Sequence, residues 1–478
     1  MDDESGKARY RKLMEMVERM QGLDRVHHLH PFTDPAALKA APPFVIDSGV
    51  DCFISGQGIR LLDMMAGLAN VILGYGREEL AETAKEAMTQ LSYYQSFAAT
   101  TNPYAASLAA RVAARAPGPL NRVFFANSGS EANETLLKLA LLYWRAKGQP
   151  EKRIIISRDL AYHGSTIATT ALNGVEQMIK PFGIEGDEVR FADSPFWYRY
   201  GGDMSPEEFG LKAAASVEQR ILEEGPEEVA AFIGEPIQGT TGVIVPPDSY
   251  WPEVARICRK YNVLLIADEV ITGFGRTGHW FAQETFGFQA DMMTLAKGMA
   301  SGAAPISAAV VTDEIVETIT NYHQGFSHGF TTSAHPVSCA LALTTMDILE
   351  RDQLVERVRD QIGPYFHAKL VQLESHPLVG EVRCKGLMAA IELVRDKDTR
   401  TQYPLEMAVC NQVSQTALTR GVIVRPTGNT IVLCPPFILK EAEADYCVQA
   451  LSEALDQVYR KLGPQSGGHP ARARLGTL

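Results

Sequence analysis

An α/β architecture, with a large and mostly parallel sheet plus a smaller α+β unit, is predicted by three features of this 478-residue chain. Between about residues 70 and 330, short β-branched runs alternate with amphipathic stretches, and strands that alternate with crossover helices build parallel sheets covered on both faces. After about residue 334 the order changes to a long helix, strand pairs and a closing helix. The length itself exceeds one small module, since soluble domains run to roughly 100–200 residues.

Composition narrows the class. With 46% hydrophobic and 21% charged residues, the chain is neither collagen-like, disordered nor a disulfide scaffold. Its net charge of −12 argues against a nucleic-acid or anionic-membrane partner, which needs a concentrated basic surface. No apolar run approaches the length of about 20 residues required of a membrane span, and the start, MDDESGKARYRK, has no apolar stretch behind it. A cytoplasmic location is the expectation. The seven cysteines are scattered and never form a CxxC pair, so they read as reduced residues without a metal.

Taken in order, residues 1–45 combine a polar helical stretch with the run VHHLHPFTDP, whose prolines prevent a long helix. This segment reads as an arm that packs on something else. His27, His28 and His30 invite a metal, but no cysteine or carboxylate follows them at ligand spacing, so a structural role is preferred. In FISGQGIRLLDMMAG, the GQG punctuates two apolar runs as a hairpin does. The strand candidates that follow are RVFFAN, RIIISRD, EVRFAD, VAAFIGE, VLLIADEV, MMTLAKG and SAAVVTD, with helices such as ANETLLKLALLYWRAKG and YWPEVARICRKYN between them. HPVSCALALTTMDILERDQLVERVRDQI is helical. VRCKGLMAAIELV, GVIVRP and TIVLCPPF are strand-like, EADYCVQALSEALDQVYRKL closes the unit, and the tail GPQSGGHPARARLGTL is expected to be disordered.

Ligands on such a sheet bind at the carboxyl ends of its strands, and three features fall there. Asn127-Ser128-Gly129-Ser130-Glu131-Ala132-Asn133-Glu134 leaves a strand and enters a helix, where free N–H groups and the helix dipole attract an anion such as phosphate. An ordinary N-cap reads equally well from this segment alone. Asp268 ends an apolar strand, where a carboxylate needs cations or hydrogen-bond donors. Lys297 follows another, where a dry setting lowers the amine's pKa and suits it to carry an aldehyde. Singly, the acid is a common capping residue and the lysine a common snorkelling one. Together, anion cradle, acid and amine describe a site for pyridoxal 5′-phosphate: the cradle takes the phosphate, the acid keeps the pyridine nitrogen protonated and the lysine holds the aldehyde. Tyr162 supplies a flat face for the ring, and Val270 is placed to pack on the other side.

These residues resemble the class III aminotransferases of fold type I, the family of ω-amine:pyruvate, β-alanine:pyruvate, ornithine and 4-aminobutyrate transaminases. The resemblance runs from near Phe32 to about residue 460 through NSGSEANE, YHG, GEPIQG, LLIADEVITGFGRTG, DMMTLAKGMASG and GFTTSAHPVSCA. It implies an arm and part of a small domain over 1–66, a large cofactor domain over 67–333, the rest of the small domain over 334–460 and a tail from 461; the small domain is thus built from both chain ends. It also implies Lys297 as the cofactor-linked lysine and proton shuttle, with Asp268 as the partner of the pyridine nitrogen. Ser128, Gly129 and Ser130 are implied at the phosphate, Tyr162 and Val270 around the ring, and His163 and Glu235 as further cofactor contacts. Thr331 would reach the phosphate of a neighbouring subunit, which implies a homodimer with shared sites and leaves room for a tetramer.

For the substrate, the resemblance implies Phe32, Leu68, Ala69, Phe97, Ala98, Tyr162 and Arg425. Arg425 matches a mobile arginine that holds a carboxylate, a task suited to a guanidinium fork. Thr240 stands where ornithine and 4-aminobutyrate enzymes carry a Glu that pairs with it, and Ile271 where several relatives have Gln; both departures favour pyruvate as acceptor. Ala69 and Ala98 stand where aromatic residues often wall the pocket, which implies room for bulky or long-chain amines unless Met64, Met65 or Phe32 refills it. Thr332 and Ala334 stand where Tyr and Gly are frequent. The expected activity is ω-transamination from a primary amine or ω-amino acid to pyruvate by a ping-pong mechanism. An aminomutase or amino-acid decarboxylase on the same scaffold is the alternative. A non-catalytic regulator is disfavoured because residues 1–66 hold no basic DNA-binding module.

Overall fold

The computed structural model describes residues 3–184, 186–322 and 325–463. Helix α1, Asp3–His27, is polar, and among its described side chains Val17 is the one fully buried. A short helical segment, Pro35–Ala40, follows, started by the Asp34 carboxylate accepting the Ala36 N–H. Strands β1 (Ser48–Val50), β2 (Phe53–Gly56) and β3 (Ile59–Asp63) then pair antiparallel. The β2–β3 turn is Gln57-Gly58 with φ of 54° and 77°, the doubly left-handed geometry of a tight hairpin, at the place that GQG marked.

The β-branched runs become the central sheet: β4 (Leu120–Ala126), β5 (Ile154–Arg158), β6 (Val189–Ala192), β7 (Val229–Gly234), β8 (Leu264–Asp268), β9 (Met292–Leu295) and β10 (Ser307–Thr312). Their spatial order is β4-β10-β9-β8-β7-β5-β6. The junctions β5–β6, β5–β7, β7–β8 and β8–β9 are parallel. Crossovers stop at the other end, where β10 lies antiparallel to both β9 and β4. The physical reason is connection length: the link from β9 to β10 contains only the helical turn Lys297–Ala300, and a parallel return needs a dozen or more residues, usually a helix.

Every residue of β7 and β8 is buried, as strands covered on both faces must be. Ala231, Ile233 and Ile266 pack with Leu136, Ala140 and Trp144 of the helix Gly129–Ala146 on one face. Phe232, Leu265 and Ala267 pack on the other with the helices Pro206–Glu224 and Tyr250–Lys260.

The C-terminal part forms a second, antiparallel sheet from β11 (Val379–Lys385), β12 (Met388–Leu393), β14 (Arg425–Thr427) and β15 (Thr430–Leu433). Strand β13 (Val422–Ile423) leaves it to pair in parallel with β3, Val422 opposite Leu62, so one four-stranded sheet unites both ends of the chain. The helix Glu441–Leu462 closes the unit. It takes in Lys461 and Leu462, the first residues of the expected disordered tail; residues 464–478 lie outside the described ones. No described helix is long and apolar enough to cross a membrane.

A buried carboxylate holds this unit to the central sheet. Glu392 on β12 is 0% exposed. Its Oε1 accepts from Arg199 Nε (3.0 Å) and Gln402 Nε2 (2.9 Å), and its Oε2 from Arg383 Nη2 (2.9 Å) and Thr430 Oγ1 (2.7 Å). Arg383 also donates to the carbonyls of Gly242 and Val243, in the loop after β7. Burial pushes the Glu392 pKa up, but the charges of Arg383 and Arg199 outweigh it and hold the group below the usual glutamate range.

Candidate active site

One cavity of about 250 Å³ lies where strands β4, β5, β7, β8 and β9 end, and it is lined by Ser128, Gly129, Ser130, Tyr162, His163, Glu235, Asp268, Val270 and Lys297. Nine residues singled out from separate stretches of sequence are therefore brought together. Each stands at or just beyond the end of a strand of the central sheet, where the strand fixes the backbone and the segment after it is free to present a side chain.

At the end of β4, Ser128 caps the helix Gly129–Ala146, its Oγ accepting the Glu131 N–H. The first N–H groups of a helix lack intrahelical acceptors, and those of Gly129 and Ser130 belong to this set. Glu131 is turned back, accepting from the Asn127 backbone and side chain at 2.8 Å each. Ser130 Oγ accepts the Ser165 N–H at 3.0 Å. A Cβ on Gly129 would stand 3.0 Å from Val270 Cγ2, so glycine is what lets the cradle sit against the cavity wall.

Asp268 is 4% exposed and held by three donors. Its Oδ2 accepts from Asn133 Nδ2 and His163 Nδ1, both at 2.8 Å, and its Oδ1 accepts the Val270 N–H at 3.1 Å. Asn133 is itself fixed, donating to the His163 carbonyl and accepting from Thr294 Oγ1 at 2.5 Å. With one N–H on Oδ1, that oxygen retains a lone pair for one more donor.

Lys297 follows β9 with φ of 40°, a strained backbone for a residue with a Cβ. Its amine titrates below the usual lysine range chiefly because it is withdrawn from water; Asp268 and Glu235 oppose the shift, and Arg425 adds to it. Glu235 accepts the N–H groups of Tyr162 and Gly239, each at 3.0 Å. Burial raises its pKa, with His163 and Arg158 pulling the other way.

The remaining expected residues lie outside the cavity lining. Phe32 is 78% exposed, its ring 6.3 Å from and edge-on to Tyr162. Leu68 is exposed. Ala69, with φ of 58°, is buried in the same apolar cluster as Met65, and Asn70 rather than Ala69 lines the cavity. Thr331, Phe97 and Ala98 are exposed together: Tyr93 donates to the Thr331 carbonyl at 2.6 Å, and Phe97 packs on Gly329. Arg425 begins β14, and Thr427 on the same strand reaches the carbonyl of cavity-lining Thr240 at 3.5 Å.

Sequence reasoning missed Asn133 and Thr294, which orient Asp268, and Asn70, Ala304, Pro305 and Ile306, which line the cavity. Asn133 had the signal of standing one turn after the cradle. The loop residues had none.

An anion at the helix start, an N–H cation at Asp268 Oδ1 and an aldehyde at Lys297 are what these groups are built to receive, and pyridoxal phosphate carries all three. The free lone pair on Asp268 and the space that a Cβ on Gly129 would take are the features that fit it.

Residues 36–455 match the family model described as aminotransferase class-III. A putrescine–pyruvate aminotransferase of Pseudomonas aeruginosa is 44% identical over 438 residues, covering 91% of this chain and 96% of that protein. The crystal structure of a thermostable (S)-enantioselective ω-transaminase from Thermomicrobium roseum superposes with a TM-score of 0.89 at 43% identity, covering 92% of this chain and 98% of that one. The ω-transaminase from Pseudomonas jessenii in complex with PMP gives 0.91 at 38%, covering 94% and 99%.

Proposed function

The chain belongs to the class-III aminotransferases, pyridoxal-phosphate-dependent enzymes of fold type I, and from that premise we propose that it is an ω-transaminase. In this reading it moves an amino group from a primary amine or ω-amino acid to pyruvate in two half-reactions. The 44% identical putrescine–pyruvate enzyme supports pyruvate as acceptor and adds diamines to the donors. The small, exposed side chain of Ala98, beside Phe97, supports bulky or long-chain amines.

Pyridoxal phosphate, when bound, supplies the carbonyl carbon that exchanges nitrogen and a protonated ring that draws electrons from the substrate carbon. The chain's residues do the rest. Ser128, Gly129 and Ser130 hold the anionic end. Asp268, oriented by Asn133 and His163, would pair with the protonated ring nitrogen, Tyr162 and Val270 would pack on the ring, and Glu235, which accepts the Tyr162 and Gly239 N–H groups, would hold the neighbouring loops in place. Lys297, whose withdrawn amine gives up its proton readily, would hold the cofactor's aldehyde and is the group placed to take and return a proton at the substrate carbon. Arg425 binds the carboxylate of the keto acid.

The observation that carries the acceptor assignment is Arg425: it forms no ion pair with a described residue, and the nearby loop position is Thr240. A standing carboxylate partner would have to be displaced; here the guanidinium is free for a planar carboxylate. The exposed cluster of Thr331, Phe97 and Ala98 supports a homodimer in which each chain completes its partner's site.

The test is a pair of single turnovers. Amine added to the holoenzyme should bleach the cofactor's visible band, and pyruvate should restore it with formation of alanine. No change on adding any amine of a panel graded by bulk, or release of carbon dioxide, overturns the reading. Sharing of sites is tested by mixing Lys297→Ala and Thr331→Ala subunits: recovered activity is expected, and none would leave each chain self-sufficient.

A further inference from the structure

We propose that Asp24, His28 and His30 form a binding site for one divalent transition-metal ion of the zinc or cobalt class, which clasps the exit of α1 to the arm leading to Phe32. The carboxylate that a metal site needs stands one helical turn before the histidines. Asp24 and His28 are four apart on the last turn of α1, which the His28 N–H extends by bonding to the Asp24 carbonyl, so their side chains share a face. His30 folds back from the loop. One carboxylate thereby meets two imidazoles: Oδ1 lies 2.9 Å from His28 Nδ1 and Oδ2 lies 2.7 Å from His30 Nε2. The ligand atoms of all three residues lie within 4.8 Å of one another.

Zinc bound at about 2.0–2.1 Å from each donor sets adjacent donors roughly 3.3 Å apart in a tetrahedron, and the three ligand atoms, already within 4.8 Å of one another, reach that spacing by side-chain adjustment alone. Two imidazoles and a carboxylate favour zinc, cobalt, nickel or copper over the oxygen-seeking calcium and magnesium. The protons balance without a co-reactant: each neutral ring moves its proton from the nitrogen facing Asp24 to the one facing away, and the freed lone pair coordinates the metal. A water takes the fourth position, on the side of a cavity of about 530 Å³ that Thr33 also lines. Arg25 and Lys39 line it too and weaken the site without blocking it. The ring so closed spans residues 24 to 30, and two residues further on Phe32 stands edge-on to Tyr162. The clasp therefore sets where the arm meets the mouth of the cavity, whatever the substrate there.

The experiment uses the full-length holoenzyme, stripped with chelator, dialysed and titrated with Zn²⁺ or Co²⁺. One equivalent per chain is expected by metal analysis, with a visible cobalt band and slower tryptic cleavage after Arg25. Asp24→Asn, His28→Ala and His30→Ala should each weaken binding by at least about tenfold, since losing a ligand costs more than losing its support. His27→Ala, outside the cluster, should bind as the parent does. Circular dichroism and cofactor content check that each variant is folded. No binding below millimolar metal, or equal binding by the His28→Ala/His30→Ala double variant, which would mean an adventitious ion only, overturns the proposal.

Discussion

Replacing Glu392 with alanine should destabilise the protein by about 3 kcal/mol. The carboxylate is fully buried and takes charge-assisted bonds from Arg199 and Arg383 besides those from Gln402 and Thr430. Removing one partner of a buried ion pair costs roughly 3–5 kcal/mol, because the other charge is left stranded. The lower end applies here. Arg383 keeps Glu381 at 2.7 Å and the carbonyls of Gly242 and Val243, and Arg199, with 23% of its side chain exposed, can turn to water.

At an unfolding entropy of about 2.1 cal/mol/K per residue, the loss lowers the melting temperature by about 3 °C if the chain melts as one unit, and by more if the C-terminal unit melts first. Differential scanning calorimetry reads it. The pH dependence gives a second check: a glutamate held below its ordinary value contributes stability that is present above that value, roughly 4.3, and lost as pH falls through its folded one. The parent should show this acid limb and Glu392→Ala should not. Arg383→Met combined with Glu392→Leu removes both buried charges and should recover most of the loss. A melting temperature within 1 °C of the parent for Glu392→Ala, or a double variant as unstable as the single one, would refute the argument.

Three further outcomes follow from the site. Gly129→Ala should weaken cofactor retention in dialysis several-fold, since its Cβ meets Val270 at 3.0 Å, and Val270→Ala in the same chain should restore it. Arg425→Ala should raise the KM for pyruvate by about 10- to 100-fold, the worth of a charge-assisted pair, while the rate of the amine half-reaction stays within about threefold. Because the Lys297 amine titrates below its ordinary value, the unfolded chain holds that proton more tightly; the cofactor-free protein should therefore gain stability as pH rises from the folded value toward about 10.4, and Lys297→Met should flatten that rise in thermal melts.

The sequence made the strands legible where burial is continuous. IIIS, AAFIG, LLIAD and MMTL had no other use than to be covered on both faces, and Asp268 and Lys297 stood out as polar groups ending such runs. The reversal at β10 was not legible, because it depends on how short the path from Leu295 to Ser307 is rather than on the character of either strand. Asn133 looked like an ordinary first-turn residue; only the fold brings Asp268, 135 positions away, to its amide. The Glu392 network was hidden for the same reason, since Arg199 arrives from 193 positions away. Ala69 was read by its size, yet its left-handed backbone decides where the methyl points. Asp24 escaped notice because a helix repeats every 3.6 residues in both directions, and a partner one turn upstream is as near as one downstream.

The pairing of Leu62 with Val422 bears on how the protein is made. The hairpin β2–β3 forms from neighbouring residues and can close as soon as it leaves the ribosome, but its outer edge stays open until about 360 more residues have been added. At roughly 5–20 residues per second that wait lasts on the order of 20–70 s. During it the nascent chain carries an unpaired strand edge, the template on which other chains add. Overexpression, which crowds many such chains together, should therefore yield less soluble protein than slow synthesis at low temperature.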